Sequence, residues 1–278
     1  SAEAATLGLG QFQELDQVGM AAPVCKYARR IDRIERLEHE VNQAVGAAIS
    51  GRPGPAHLTI PVDVFSAAMP PPSVGSLPDA DPPPARVEQR SPADEGLVRD
   101  AVKTLAEAKR PLLIVGNGAA YANAGDVLRA FVARTHVPIL SNMWSRGCVE
   151  TRWDEYVGTT FSGGTNGAYE ALAAADVLLV VGATLDYRTG FARPPAVAES
   201  TKIVRIDADP GELSKPVEPD IGIVADARSA LAQMLAEAET HTWSHEGWLA
   251  EVRGMRERLL DKWEPRGRRE GVPLTSLQ

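Results

Sequence analysis

Between residues 111 and 224 the apolar positions come in blocks rather than singly. "RPLLIVGNG", "VPILSN", "ADVLLVVGA" and "TKIVRIDAD" are continuous apolar runs of strand length, and each ends on small or polar residues. Strands that are apolar on both sides belong in a parallel sheet covered on both faces. Gly125–Thr135 and Gly167–Ala175 lie between these runs and read as helices. "IGIVADARSALAQMLAEA" adds a last short strand, an Asp226 cap and a helix. Strands alternating with helices predict an α/β fold, a Rossmann-like doubly wound parallel sheet over about residues 91–238.

The pattern before this region is shorter. From Asp32 to Ser50, the residues Ile34, Leu37, Val41, Val45 and Ala48 draw one apolar stripe, which predicts a helix with that face buried. Asp32 with Glu35 three residues on reads as a capping box, Asp standing in for Ser or Thr. "GRPGPAHLTIPVDVF" then gives a turn and a strand, His57 to Ile60, which Pro61 ends because it lacks an amide hydrogen. Residues 1–68 are therefore expected to be part of a second α/β domain. Met69 to Pro84 holds seven prolines and little to bury, so 69–90 reads as an extended linker. Ser91 and Pro92 suit an N-cap and first helical position, with Leu97, Val98, Ala101 and Leu105 as the buried face that follows. The tail, 239–278, carries Trp243, Trp248 and Trp263 in a charged helical setting, and the sequence assigns it no packing partner.

Composition narrows the partners. A formal net charge of −8 over 278 residues disfavours a nucleic-acid surface and adsorption to anionic lipid, leaving small molecules. Two cysteines, Cys25 and Cys148, have no CxxC or zinc spacing, no apolar run reaches membrane-spanning length, and no secretion signal opens the chain. A cytoplasmic location, with no membrane association, is expected. His241 and His245 stand at helical i,i+4 spacing without a third ligand nearby, so they read as a surface pair, and no metal site is expected. Both cysteines read as buried structural thiols, although Lys26 adjoins Cys25.

Two glycine-bearing loops and one carboxylate loop follow predicted strands, and a further glycine cluster precedes a predicted helix. Gly116 and Gly118 sit between a strand and a helix, where missing Cβ atoms let amides approach a phosphate. Tyr121 occupies the place of the third fingerprint glycine, and a tight βα turn explains the pair equally well. Gly182 and Asp186 repeat the arrangement, and Gly163, Gly164, Asn166 and Gly167 offer another candidate cradle or a plain surface loop. Asp207 and Asp209 could accept from a ribose, or cap a turn at Asp209-Pro210-Gly211. The Gly116, Gly182 and Asp207 loops would gather at the carboxyl edge of the sheet, where such folds bind ligands. No set of acid, base and nucleophile is evident from the residues themselves.

Taken together, "GQFQELDQVGMAAPVCKYARRI", "GRPGPAHLTIPVDVF", the proline linker, "PLLIVGNGA", "ADVLLVVGATLDYRTGF" and "IVRIDADPGEL…IGIVADARSAL" resemble thiamine-diphosphate-dependent enzymes of the acetolactate synthase group. "GATLDYRTGF" and "IGIVADARSALAQ" look closer to the benzaldehyde lyase and 2-hydroxyacyl-CoA lyase branch. The resemblance implies that 1–68 is the C-terminal half of a pyrimidine-binding domain, 91–238 a central Rossmann-like domain, and 239–278 a helical tail toward a diphosphate-binding domain. It implies thiamine diphosphate and magnesium as cofactors of the parent enzyme, with active sites assembled between subunits of a homodimer or tetramer, self-associating on the Phe12–Arg30 side. It also implies a catalytic glutamate upstream of Ser1 and a GDG…N segment downstream of Gln278. No GDG occurs in the 278 residues, so the chain is expected to be a fragment or part of a split enzyme, inactive alone.

By the same resemblance, Phe12 and Gln13 match residues at the mouth of the thiamine site, with loop packing as the alternative. Gly116, Gly118, Gly182, Asp186, Arg188, Asp207 and Asp226 match positions that line a flavin or ADP pocket in relatives. Thr184 stands where flavin-binding relatives carry Arg, and Ser162 where they carry His, which counts against FAD. The central domain is left to bind ADP or CoA, or to serve as scaffold. The expected activity makes or breaks a C–C bond next to a carbonyl, as a transferase, lyase or decarboxylase acting on a 2-oxo acid, aldehyde or acyl-CoA. The alternatives are a non-catalytic nucleotide-binding module for ADP, CoA or FAD, and, last, an NAD-linked oxidoreductase.

Overall fold

The computed structural model describes residues 2–68, 90–143, 145–160 and 167–267. It divides into two compact units, Ser1–Gln89 and Arg90–Gln278, each treated by itself. The expected proline linker, Ser162, Gly163, Gly164 and Asn166 lie outside the described residues.

In the first unit, β1 (Tyr27–Arg30) and β2 (Ala56–Thr59) pair in parallel, Tyr27 beside Ala56 and Arg30 beside Thr59. Helices α1 (Gln17–Ala21), α2 (Leu37–Ile49) and α3 (Val62–Phe65) flank them. Gly51, at φ +53°, turns the chain between α2 and β2. The Lys26 stem packs where Gly54 has no Cβ, and its ammonium donates to the carbonyls of Ser50 at 2.5 Å and Arg52 at 2.9 Å, just past the helix C-terminus. That contact requires glycine at Gly54, while Gly51 serves the turn itself.

Helix α2 departs from its sequence pattern. A single 3-10 turn, Ile34–Arg36, precedes it, Asp32 pairs with Arg30 at 2.7 Å instead of capping, and no capping box forms. Val41 and Val45 of the expected buried stripe are exposed, as is Ile49, whereas Glu40 and Ala44 are buried. The reason is polar: Glu40 is drawn inward by the Tyr27 hydroxyl and by Arg36 at 2.7 Å, and this rotates the aliphatic stripe outward.

The second unit is a six-stranded parallel sheet. Its strands are β3 (Pro111–Val115), β4 (Ile139–Ser141), β5 (Tyr156–Thr159), β6 (Val177–Val181), β7 (Lys202–Asp207) and β8 (Ile221–Val224). Their spatial order is β5-β4-β3-β6-β7-β8, so the chain winds outward in both directions from the β3/β6 boundary, as in doubly wound nucleotide-binding folds. Helices α4 (Glu95–Glu107), α5 (Asn117–Tyr121), α6 (Gly125–Thr135), α7 (Ala168–Ala174), α8 (Pro210–Leu213), α9 (Ala227–Ala238) and α10 (Glu246–Gly267) complete it. Asp94 caps α4, accepting from the Leu97 amide at 3.0 Å. Ser91, expected in that role, instead accepts from the Asp226 amide through its carbonyl.

Successive residues of each strand face opposite cores. Leu113, Val115, Leu179 and Val181 pack with Val98 of α4, Phe131 of α6 and Met234 of α9. Leu112, Ile114, Leu178 and Val180 pack with Leu172 of α7 and with Trp248, Leu249, Val252 and Met255 of α10. The tail thus has a partner in the sheet, with the Trp248 indole donating to the Pro111 carbonyl at 2.7 Å. Gly167, at φ +66°, lets α7 meet α10, since a Cβ there would stand 2.9 Å from the Arg256 amide nitrogen.

Candidate functional site

The residues singled out by sequence fall in two places, one per unit. In the first, the chain from Leu7 to Asp16 curls around one carboxylate. Glu14 accepts from the amides of Gly8, of Gly10 at 2.9 Å and of Gln11 at 2.9 Å. The Gly8 and Gln11 amides hold its carboxyl below the usual range, against desolvation and with help from Gly10. Gly8 and Gly10 have φ of +91° and +78° with open space beside them, so glycine serves the turn rather than a close contact. Gln13 also has a left-handed backbone, φ +62°. It lines an open cleft of about 550 Å³ together with Gln11, Asp16, Arg30 and Thr59. Phe12 does not line that cleft and is 87% exposed.

In the second unit, Gly116, Gly118, Gly182, Asp186, Arg188, Asp207 and Asp226 all follow carboxyl ends of strands and share one edge of the sheet. Two of these loops interlock at the point where the winding reverses. The Gly116 amide donates to Val181 O at 2.9 Å, that of Gly118 to Gly182 O at 3.0 Å, and that of Gly182 to Ile206 O at 2.8 Å. A Cβ on Gly116 would lie 2.1 Å from the Gly182 carbonyl oxygen, and one on Gly118 2.7 Å from Gly182 Cα. The space vacated by the glycines is filled by the protein's own backbone, and these three amides are spent inside it.

Asp186 and Arg188 form a bidentate pair, Arg188 Nε donating to Asp186 Oδ1 at 2.9 Å, while Asp186 also accepts from the Arg188 amide at 2.9 Å. Burial pushes the Asp186 carboxyl up, but Arg188 and its amide outweigh this and leave it below the usual range. The guanidinium lies 5.6 Å from the centre of the Tyr187 ring. Gly190, Phe191 and Ala192 follow with φ of 60°, 57° and 52°, three successive left-handed residues, two of them not glycine. Asp207 accepts from the Asp209 amide at 3.0 Å, Asp209 from Gly211 at 2.8 Å, and Asp226 from Ser229 at 2.9 Å at the start of α9.

Three buried polar groups at this edge have no hydrogen-bond partner among the described residues, and of their residues sequence reasoning singled out Arg188 but missed Asn142 and Thr160. The groups are Asn142 Oδ1 after β4, Thr160 Oγ1 after β5 and Arg188 Nη1. The signal for the first two was present, a polar residue directly after an apolar run, as at Asp207. Sequence reasoning also missed Arg205, wholly buried in β7, which donates to the carbonyls of Leu213 at 2.9 Å, of Lys215, and of Ala183 at 3.3 Å beside the glycine interlock.

The histidine pair needs correcting. His245 is buried, not on the surface: its ring nitrogens each lie 3.1 Å from a backbone carbonyl, Thr135 at the end of α6 and Ala108 at the end of α4. Cys148 is buried, which pushes its thiol up to about 11, but Cys25 is only half-buried. Among the described residues no helix is long and apolar enough to cross a membrane.

Residues 98–234 match the family model described as the central domain of thiamine pyrophosphate enzymes. Those residues lie within the six-stranded unit and include every carboxyl-edge residue named above. The six-stranded unit belongs, as a central domain, to the thiamine pyrophosphate enzyme family. The acetolactate synthase large subunit of Corynebacterium glutamicum is 33% identical over 273 residues, 94% of this chain and 40% of the relative. The 2-hydroxyacyl-CoA lyase 1 of Dictyostelium discoideum is likewise 33% identical, over 245 residues, 84% of this chain and 40% of the relative. Equal identity to both leaves the branch within the family open. The crystal structure of benzoylformate decarboxylase from Polynucleobacter necessarius shares the fold, with a TM-score of 0.68 at 21% identity over 88% of this chain and 45% of that one. The chain thus spans about two fifths of the length of these curated thiamine pyrophosphate enzyme relatives.

Proposed function

We propose that this chain is part of an enzyme, dependent on thiamine diphosphate and magnesium, that makes or breaks a C–C bond next to a carbonyl. The observation that carries the reading is the extent of similarity: it reaches beyond the 98–234 central domain to 94% of the chain. The names of the relatives point to a 2-oxo acid or an acyl-CoA as substrate. Thiamine diphosphate, when bound, supplies an electron sink that no side chain can provide. From this chain, Gln13 brings a neutral amide to the cleft, able to donate to and accept from a carbonyl or hydroxyl oxygen of the substrate. Phe12, exposed on the same loop, offers an aromatic ring to shape the mouth of the site. Asp186, Arg188, Asp207 and Asp226 stabilise the central unit.

For a nucleotide on the central domain, the Gly116, Gly118 and Gly182 amides do not fit a phosphate, because they are already bonded. Scaffold is therefore the reading adopted for that domain, in preference to an ADP, CoA or FAD site. The enzyme acts as a homo-oligomer in the cytoplasm, and the 278-residue chain alone does not turn over.

The test is turnover by the full gene product supplied with both cofactors and a 2-oxo acid, or with an acyl-CoA. Gln13→Asn keeps a residue that tolerates the left-handed backbone but shortens the amide reach by one methylene. We expect kcat/KM to fall about tenfold or more, the scale of one lost charge-neutral hydrogen bond. Unchanged kcat/KM removes Gln13 from the site.

A further inference from the structure

The Leu7–Asp16 loop carries an order of its own that the cleft does not explain. Gly8, Gly10 and Gln13 all adopt left-handed backbone, a sequence of turns that L residues avoid and that no helix or strand of the unit imposes. At its centre is a single side chain, Glu14, whose two carboxylate oxygens between them accept the amides of Gly8, Gly10 and Gln11, while its own amide donates to the Gln11 carbonyl at 3.0 Å. Hydrogen bonds to an ionised acceptor are about twice as strong as neutral ones, and three converging on one carboxylate fix the chain on both sides of Phe12. Among the described residues Gln13 has no comparable anchor of its own, and it directly precedes Glu14 in the chain.

We propose that Glu14 is a positioning residue: its carboxylate latches the Gly8–Gln11 amides and so holds Gln13 in the left-handed conformation that sets its amide on the cleft. The role of the cleft itself rests on the function proposed above, but the latch does not. Aspartate cannot substitute, because its shorter stem does not reach both Gly8 and Gln11 from the same backbone position. Glutamine can reach but offers one acceptor oxygen in place of two and carries no charge. The sequence signature is Gly8-x-Gly10-x-x-x-Glu14, two glycines free to turn and one carboxylate to hold them.

The experiment is backbone amide exchange and chemical shift at neutral pH on the 278-residue chain, wild type against Glu14→Gln and Glu14→Asp, with ¹⁵N-labelled glycine and glutamine. The latch predicts that Gly8, Gly10 and Gln11 exchange at least about tenfold faster in Glu14→Gln, and that the Gln13 amide shift moves toward its unstructured value. Gly54 of the same unit, whose amide donates to the Ala48 carbonyl at 2.9 Å away from the loop, reports whether the variant is folded and should not move. A second readout is acid titration of the wild type. Gly10 and Gln11 should shift together, with one midpoint below the ordinary glutamate value, and Glu14→Gln should abolish that shared movement. Unchanged exchange in Glu14→Gln, or separate midpoints for Gly10 and Gln11, overturns the latch. Faster exchange with an unmoved Gln13 shift overturns the positioning role. Neither result depends on thiamine diphosphate, whose irrelevance would show separately as turnover without it.

Discussion

Replacing Gly116 by Ala tests whether the glycine loops of the central domain serve packing or a ligand. The new Cβ would stand 2.1 Å from Gly182 O, 2.4 Å from Ala183 Cα and 2.7 Å from Ala183 Cβ. Two of these three are backbone atoms, held by Gly118 N to Gly182 O at 3.0 Å and Gly182 N to Ile206 O at 2.8 Å, so they cannot swing aside. Restoring van der Waals distance requires the β3–α5 and β6 loops to part by about 1 Å, close to the gap at which such hydrogen bonds fail. Two lost bonds at about 1 kcal/mol each, plus an overpacking strain of about 1–3 kcal/mol, give about 3–5 kcal/mol. For a unit of this size that is a fall in Tm of about 10 °C. Differential scanning fluorimetry reads it, with Gly247→Ala as control, because Gly247 lies in the first turn of α10 with open space around it and should be neutral or slightly stabilising. The same plate carries ADP, CoA, FAD and NAD. If the glycines exist for a phosphate, Gly116→Ala will stay within about 2 °C of wild type and abolish a ligand-induced rise in Tm, which would refute the packing argument.

Other outcomes follow from single contacts. His245→Leu removes the ring N–H offered to the Thr135 or Ala108 carbonyl, a neutral imidazole having one to donate, so it should cost about 1–3 kcal/mol in denaturant unfolding, and a loss below about 0.5 kcal/mol would show that water takes its place. With its thiol pushed up to about 11, Cys148 should resist Ellman's reagent at pH 8 in the folded chain while Cys25 reacts, both reacting in concentrated guanidinium; two fast thiols in the folded chain contradict its burial. The folded value of Asp186 is depressed, so the stability it contributes is present above its unfolded value near 3.8 and is lost as pH falls through the lower folded value. The Tm gap between wild type and Asp186→Asn should therefore be open at pH 7 and close in acid, and a gap that widens below pH 4 reverses the assignment.

The sheet was legible because its strands are buried on both faces and need no partner pattern to be seen: "PLLIV" and "VLLVV" are strands whatever flanks them. β5 was missed because Tyr156–Thr159 is broken by Gly158 and too mixed to stand out. The α2 stripe misled for a specific reason. Periodicity marks which residues share a face but not which face turns inward, and the Tyr27–Glu40–Arg36 cluster decided that against the valines. Likewise the helical spacing of His241 and His245 could not reveal that His245 sits between two helix ends brought together by the fold. At the candidate site, sequence located the loops but not their contents. Glycine after a strand reads the same whether the missing Cβ admits a phosphate or a neighbouring carbonyl, and only the Gly116–Gly182 contact distinguishes them.

The central claim is that the chemistry of the parent enzyme belongs to thiamine diphosphate and not to any side chain of this chain. The direct measurement is turnover of a 2-oxo acid or acyl-CoA by the full gene product after the cofactor is stripped by dialysis against a chelator, then restored with magnesium. Activity that vanishes on stripping and returns only when thiamine diphosphate is added back is the predicted result. Turnover that persists without it would contradict the account.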